Sequence, residues 1–226
     1  MNNYKMVLSY DGSLFNGWQK QGNTKNTIQE KLEAVLSQLA GEAVEVQGAG
    51  RTDRGVHAKG QAASFKLLTE ADCETILTYL NQHLPAAMAV LSVEKAEERF
   101  HARLNARAKT YVYRLWDGPV PNVFQRTYVW QCREETGRID IEALNDRLAQ
   151  LTGEQDFREF SRYTGKKSTV RTLYEATARR TGDLVEMTFR GNGFLYHQVR
   201  MMTGWALMGK KYTAPAQGLC LESVEY

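Results

Sequence analysis

The order of segments along the chain predicts an α+β fold made of two successive halves. Strand-like segments with alternating apolar residues are separated by amphipathic helical segments, and the second half follows the same order as the first. Two passes of β-α-β-β-α-β are typical of two ferredoxin-like halves, with antiparallel sheets packed side by side and helices on one face. No repeat of the letters supports a duplication, so this prediction depends on element order alone.

The first half opens with a strand over residues 4–10, which ends at the turn signal Asp11-Gly12. The segment from Asn26 to Gly41 is the clearest helix, because its apolar residues recur on one face and Gly41 can end it. The remaining elements are a short strand over 43–47, a strand over 61–67, a helix over 70–84 and a strand over 88–96.

The second half repeats this course with different residues. We expect a strand over 109–116, a helix over 140–153, a hairpin over 170–191 that turns at residues 181–183, a helix over 194–208 and a last strand over 218–226. The hairpin turn contains Gly182, which suits a tight connection between two strands.

The length of 226 residues accommodates two such halves, which we place at 1–104 and 105–226. No Pro/Gly/Ser-rich linker separates them, so we expect them to pack tightly. The sequence has no signal-peptide pattern and no apolar run long enough to span a bilayer. Three scattered cysteines fit a reducing compartment. A cytoplasmic protein without membrane association is therefore predicted.

The segment GAGRTDRGVHAKGQ, residues 48–61, places Asp53 between Arg51 and Arg54 with glycines on both sides. Glycines at this density indicate a tight backbone path or the close approach of a ligand. Two interpretations remain open from the residues alone. Asp53 either pairs with a neighbouring arginine to stiffen a turn, or acts as a nucleophile that is ionised at neutral pH and needs no base to activate it.

The same segment does not match the known phosphate-binding loops. Asp53 stands where a dinucleotide fingerprint needs its third glycine, and Gly55 is followed by Val56-His57 instead of Lys-Ser/Thr. The four histidines show no paired spacing, and no second carboxylate lies near Asp53 in the sequence. No metal site is predicted from these residues.

Two further stretches carry residues suited to chemistry. Tyr111 and Tyr113 fall on one face of a predicted strand, which is typical of core packing and also of stacking against a nucleobase. The helix predicted over 194–208 would bring Tyr196, Arg200 and Thr203 near one another. An arginine in such an apolar stretch needs a partner, and Asp53 is one candidate.

The region from Arg99 to Arg114 contains only basic residues among its charged positions. The net charge of +3 does not by itself indicate a nucleic acid partner. The run is either a solvated face or a surface that contacts phosphates. Its members are Arg99, Arg103, Arg107, Lys109 and Arg114.

Five blocks spread over nearly the whole chain resemble the TruA family of tRNA pseudouridine synthases. They are YDGSLFNGWQKQ with TIQEKLE, GAGRTDRGVHAKGQ, ARAKTYVYRLW, GNGFLYHQVRMMTG and TAPAQGLCLESVEY. The Gly-Arg-Thr-Asp core followed by Gly-Val-His-Ala is long and specific. The resemblance favours the catalytic interpretation of Asp53.

The resemblance implies a role for each matching residue. Asp53 would be the catalytic aspartate, Tyr111 would stack on the target uracil, and Arg200 would pair with Asp53 and position it. Arg51 would occupy the place of the flipped nucleotide in the RNA stem.

It also implies a substrate and an assembly. The substrate would be uridines 38 to 40 in the tRNA anticodon stem-loop, and the enzyme would be a homodimer that needs no metal or cofactor. The RNA cleft would lie on the sheet face opposite the helices, with weaker contacts from Arg54, Lys59, Arg99, Arg103 and Arg107.

Two departures from the family pattern matter. Arg54 stands where many members of the family carry alanine, and it is expected to add a phosphate contact with its side chain pointing outward. The stretch WALMGKKYTAPA runs almost directly from the predicted helix into the last strand, where other members have a further helix. A catalytically impaired RNA-binding or RNA-chaperone protein of the same fold is therefore the alternative function.

Overall fold

The computed structural model describes residues 1–68, 70–162, 164–165 and 168–226. These residues form two compact units, one of Met1–Ala106 with Leu221–Tyr226 and one of Arg107–Cys220. The division after Ala106 lies two residues beyond the boundary we placed at 104/105. The C-terminal residues from Leu221 onward belong with the first unit, which nothing in the sequence indicated.

The first unit contains a four-stranded antiparallel sheet with two helices. The elements are β1 (Asn2–Tyr10), α1 (Ile28–Ala40), β2 (Val46–Gly48), β3 (His57–Leu67), α2 (Cys73–His83) and β4 (Met88–Ala96). The strands stand in the order β4-β1-β3-β2, since β1 pairs with β3 and β4, and β2 pairs with β3. Helix α1 begins after Thr27, whose side chain accepts a hydrogen bond from the Glu30 amide, and ends at Gly41 with a φ of 70°.

The elements of the second unit are β5 (Ala108–Trp116), β6 (Trp130–Gln131), α3 (Arg133–Thr136), α4 (Ile141–Ala149), β7 (Gly153–Asp156), β8 (Val170–Thr181), β9 (Leu184–Gly191) and α5 (Gln198–Met208). They include an antiparallel sheet in the order β5-β9-β8-β7, with the short strand β6 parallel to β5. The last strand, β10 (Leu219–Glu225), begins in this unit. Sheets and helices in this combination confirm the predicted α+β class.

Several predicted boundaries were wrong. The helix predicted over 194–208 begins only at Gln198, because His197 adopts a left-handed conformation with a φ of 63° that helical residues do not share. Helix α2 begins at Cys73 instead of residue 70, since the Asp72 side chain caps its first turn. Strand β3 extends back to His57, and α3, β6 and β7 were not predicted.

The predicted hairpin is confirmed, and a buried carboxylate stabilises the region around its turn. Thr181 pairs with Leu184, so Gly182 and its neighbour form the two-residue connection. The Asp117 side chain is fully buried and accepts hydrogen bonds from Arg180 at 2.7 Å, Arg138 at 3.0 Å and a backbone amide at 2.8 Å. Burial alone would raise the pKa of Asp117, but these hydrogen bonds outweigh it and hold that pKa below its ordinary value.

Within the part of the chain that the structure describes, no helix is both long enough and apolar enough to cross a membrane. A cytoplasmic location stays a prediction.

Candidate active site

Asp53 lies half-buried in the loop that joins β2 to β3. The loop is a defined turn, because the Val56 amide donates to the Asp53 carbonyl at 3.1 Å. On its other side, the Ala49 amide donates to the Ala62 carbonyl at 2.7 Å and continues the β2–β3 pairing into the loop. The backbone around Asp53 is therefore fixed from both ends.

The segment that follows β1 packs directly against this loop. The Trp18 amide donates to the Thr52 carbonyl at 3.0 Å, and the Gly55 amide donates to the Gly12 carbonyl at 3.2 Å. A Cβ on Gly12 would lie 1.9 Å from the Val56 oxygen, and one on Gly17 would lie 2.9 Å from the Thr52 oxygen. These glycines allow two backbones to meet, which explains why the YDGSLFNGW and GRTDRG motifs occur together.

A chain of buried polar side chains lies behind Asp53. The Tyr10 hydroxyl and Thr52 Oγ1 are 2.8 Å apart, and Gln61 Nε2 is 3.4 Å from the Tyr10 hydroxyl and 2.9 Å from the Gly50 carbonyl. Gln61 is fully buried, and Tyr10 and Thr52 are 5% and 6% exposed. The chain links β1 and β3 to the loop residues on the N-terminal side of Asp53. Sequence reasoning missed it, although a glutamine at the start of the apolar run QAASF is the signal that was available.

His57 was also missed as a site residue. It is 5% exposed, its Nδ1 accepts a hydrogen bond from the Gly12 amide at 3.1 Å, and Asp11 Oδ1 lies 3.2 Å from the same nitrogen. The histidine thus joins the segment after β1 to the end of the Asp53 loop. Its signal in the sequence is its place in the Gly-Val-His-Ala part of the motif, four residues after Asp53.

The predicted basic residues of the first unit point toward solvent. Arg51 and Arg54 flank Asp53 and are exposed, as are Arg99 and Arg103 further along the chain. Lys59 is exposed as well, and its ammonium lies 3.4 Å from the Glu222 carboxylate. The exposed position of Arg54 agrees with the expectation that its side chain points outward. Arg107, the remaining member of the predicted RNA-contacting set, is exposed in the second unit.

Tyr111 and Tyr113 lie on the same, buried face of β5, as their spacing predicted. Tyr113 is a core residue that donates a hydrogen bond to the Pro215 carbonyl at 2.6 Å. Tyr111 is 6% exposed, sits opposite Phe189 on β9, and meets the Phe194 ring edge-on with centroids 5.2 Å apart. The Tyr111 ring, which we expect to stack on uracil, therefore packs against the aromatic ring of Phe194.

Arg200 lies half-buried on α5, and its Nε donates to the Ala214 carbonyl at 2.7 Å. Burial raises the pKa of the Tyr113 hydroxyl well above its usual value, and the positive charge of Arg200 opposes part of that rise. The Arg200 guanidinium therefore acts electrostatically on the Tyr113 hydroxyl. Thr203 is fully buried, but Tyr196 precedes the helix and is 54% exposed, so the predicted grouping of these side chains on one helical face was wrong.

The predicted site residues therefore divide between the two units. Asp53, Arg51 and Arg54 belong to the first, and Tyr111 and Arg200 belong to the second. The pairing of Asp53 with Arg200 stays a prediction. Among the described residues, no group of three or more His, Cys, Asp or Glu side chains is arranged to hold a metal ion.

Comparison with known proteins identifies the relatives of this chain. A family model described as tRNA pseudouridine synthase matches residues 6–105 and 148–215. A Bacillus cereus protein named tRNA pseudouridine synthase A 2 is 39% identical over 205 residues, which cover 90% of this chain and 82% of the relative. A Clostridium tetani protein named tRNA pseudouridine synthase A 1 is 36% identical over 248 aligned positions that cover both chains completely.

A solved structure titled "Crystal Structure of a Cbf5-Nop10-Gar1 Complex" contains a more distant match, with a TM-score of 0.42 and 12% identity. The match covers 96% of this chain and 48% of the other. The family model and the two bacterial relatives carry the assignment by themselves. The chain belongs to the TruA family of tRNA pseudouridine synthases.

Proposed function

We propose that this protein converts uridine to pseudouridine in the anticodon stem-loop of tRNA, at positions 38 to 40. Family membership supports the reaction. The observation that carries the role of Asp53 is its place in a loop whose backbone is hydrogen-bonded from both ends, with the side chain half-buried at the surface. A carboxylate fixed in this way can be held against a ribose without rearrangement.

The reaction breaks the bond between N1 of uracil and C1′ of ribose, turns the free base, and forms a bond from C5 to C1′. The C5 proton is then lost and N1 takes up a proton, so the product is an isomer of uridine. The departing uracil carries the electron pair of the broken bond. Asp53 acts on the sugar, either by attacking C1′ or by removing a ribose proton to give a glycal. In both routes the carboxylate is ionised and close to the ribose.

The other site residues position the detached uracil, the Asp53 carboxylate and the flipped nucleotide. Tyr111 covers one face of the detached uracil, which limits its motion and keeps the rejoining step effectively intramolecular. Arg200 keeps Asp53 ionised and oriented when water is excluded. A uridine within a stem has to be flipped out at a cost of a few kcal/mol, and Arg51, which is exposed beside Asp53, fills the gap it leaves.

The test compares the wild-type protein with Asp53→Asn on unmodified tRNA labelled with tritium at C5 of uridine. We expect the variant to bind tRNA within about twofold of the wild type, since one charge among several phosphate contacts is changed, and to release no tritium. Asp146→Asn, an exposed aspartate on α4, is the matched control and should react normally. Turnover by Asp53→Asn near the wild-type rate would remove Asp53 from its role.

The alternative is an RNA-binding or chaperone protein that has lost catalysis. It is favoured by one observation: the alignment with the Clostridium tetani relative runs over 248 positions, more than the 226 residues of this chain, so the relative has segments with no counterpart here. Tritium release by the wild-type protein decides between the two. A chaperone would release none and would not respond to Asp53→Asn.

Binding of tRNA is proposed to use the exposed arginines Arg99, Arg103 and Arg107 through phosphate contacts. Affinity should then fall with salt, with a log–log slope of roughly 0.7–0.9 per phosphate contacted. Arg103→Ala should lower that slope by about the amount that one phosphate contact contributes. Lys95→Ala is the control, because its ammonium already pairs with Glu70 on the same unit. A binding constant that does not change with salt would contradict the proposal.

A homodimer is proposed as the active assembly, as the family resemblance implies. Light scattering across a concentration series tests it directly. A monomer at concentrations where tRNA is fully modified would exclude a required dimer.

A further inference from the structure

His57 occupies a position where two hydrogen bonds compete for one nitrogen. Its Nδ1 lies 3.1 Å from the Gly12 amide nitrogen and 3.2 Å from Asp11 Oδ1. The Gly12 amide is a donor, whereas the Asp11 carboxylate is an acceptor that already binds the Ser13 amide at 3.0 Å. The ring is 5% exposed, so water does not freely replace either partner.

The protonation state of the imidazole decides which of the two bonds can form. A neutral ring with its proton on Nε2 accepts the Gly12 amide proton at Nδ1. A protonated ring carries hydrogen on Nδ1, so it donates to Asp11 Oδ1 and can no longer accept from Gly12. The two arrangements exclude one another.

Gly12 is connected to the backbone around Asp53. Its carbonyl accepts the Gly55 amide at 3.2 Å, and the Val56 amide donates in turn to the Asp53 carbonyl at 3.1 Å. The backbones are close enough that a Cβ on Gly12 would lie 1.9 Å from the Val56 oxygen. A shift of Gly12 therefore displaces the turn that carries Asp53.

We infer that His57 is a positioning residue for Asp53, and that its neutral form holds the catalytic turn. Protonation transfers the Nδ1 contact from Gly12 to Asp11, leaves the Gly12 amide without its acceptor and loosens the turn. The catalytic consequence depends on the proposed function, whereas the coupling between His57 and Gly12 does not.

Charged groups near His57 lie in three segments, which are the turn after β1, strand β3 and the Asp53 loop. Asp11, after β1, is the carboxylate that faces the ring. Further along β3, Lys59 lies 3.4 Å from Glu222 of the last strand, so these two charges offset each other. Asp53 lies four residues before His57, between the exposed Arg51 and Arg54. The switch thus depends on the pair of His57 and Asp11.

The kinetic test measures kcat at saturating tRNA between pH 5.5 and 8 for three proteins. The wild type should lose activity toward the acidic end of this range, as the His57 ring becomes protonated and Nδ1 turns from acceptor to donor. His57→Asn supplies a carbonyl acceptor that does not titrate, so it should keep activity and lack that acidic loss. His57→Ala supplies no acceptor and should lose about 10- to 100-fold in kcat at every pH, with tRNA affinity within about twofold.

His83→Asn is the matched control, since His83 is an exposed histidine at the end of α2 in the same unit. It should reproduce the wild-type pH profile. A wild-type acidic loss that persists in His57→Asn, or kcat for His57→Ala within twofold of wild type, would overturn the inference.

A measurement on the wild-type protein separates this inference from the proposed function. The amide resonance of Gly12 and the ring nitrogens of His57, followed by NMR against pH, should move with one common midpoint. A Gly12 resonance that does not follow His57 would refute the coupling even if the enzyme is active. A wild-type protein without activity would refute the proposed function and leave the NMR result to decide the coupling.

Discussion

The hydrogen bond between Tyr10 and Thr52 offers a sharp test of how the Asp53 loop is held. The Tyr10 hydroxyl and Thr52 Oγ1 are 2.8 Å apart, and the two residues are 5% and 6% exposed. Tyr10→Phe removes the hydroxyl and leaves a buried threonine oxygen without that partner. A buried polar group left unsatisfied costs about 1–3 kcal/mol, so we expect the free energy of unfolding to fall by that amount.

Thr52→Val should also lower the free energy of unfolding by about 1–3 kcal/mol, because it removes the hydrogen bond between Thr52 Oγ1 and the buried Tyr10 hydroxyl. The double variant removes both polar groups together. It should therefore lose less stability than the sum of the single variants, with a coupling energy of about 0.5–3 kcal/mol. A coupling of this size is the signature of a direct bond between the two side chains.

The assay is urea denaturation followed by tryptophan fluorescence. Trp18 is the tryptophan of the first unit, and its ring centroid lies 6.4 Å from that of Tyr10, so it reports on this region. Tyr79→Phe on α2, a half-buried tyrosine stacked on His83, is the matched control and should change stability little. Strict additivity of Tyr10→Phe and Thr52→Val would refute the reasoning.

Three further changes test other parts of the structure. Asp117→Asn should destabilise the second unit by about 3–5 kcal/mol in urea, since it removes the fully buried negative charge that pairs with Arg180 and Arg138. In the wild type, Asp117 has a lowered pKa, so its contribution to the free energy of unfolding is complete above about pH 4 and is lost as the pH falls through the folded-state pKa. Urea midpoints at pH 7 and pH 3 would show this loss. Gly48→Ala should cost about 1–3 kcal/mol and shift the fluorescence of Trp18, because its Cβ would lie 2.4 Å from the indole ring. Gly17→Ala should lower both stability and kcat, whereas Gly41→Ala, which has a similar φ but no neighbour within 4 Å, should lower stability by about 1 kcal/mol and leave kcat unchanged.

The features that the sequence predicted well depend on neighbouring residues. Helix α1 follows from the apolar stripe together with a capping threonine and a terminal glycine. The hairpin of β8 and β9 follows from two alternating runs around Gly182. In each case the pattern and the structure it specifies lie within about twenty residues.

The features that were missed depend on distant partners or on one backbone angle. Strand β6 has two residues and exists because it pairs in parallel with Leu115 and Trp116, more than ten residues earlier. Helix α5 starts later than predicted because His197 has a left-handed backbone conformation, which the residue type does not predict. The role of His57 depends on Gly12, which is 45 residues away. The pairing of Asp53 with Arg200 stays a prediction from the family resemblance, since the two residues belong to different units and no local pattern specifies it.

Two independent sets of contacts fix the loop on either side of Asp53. On the N-terminal side, Tyr10 and Gln61 hold Thr52 and Gly50 through side-chain hydrogen bonds. On the C-terminal side, Gly12 holds the turn by accepting the Gly55 amide. These contacts use the backbone of the loop and the Thr52 side chain, and none of these hydrogen bonds is made by the Asp53 carboxylate. Changing that carboxylate to an amide should therefore leave the loop in place, which is why Asp53→Asn can separate the chemistry of the site from its folding.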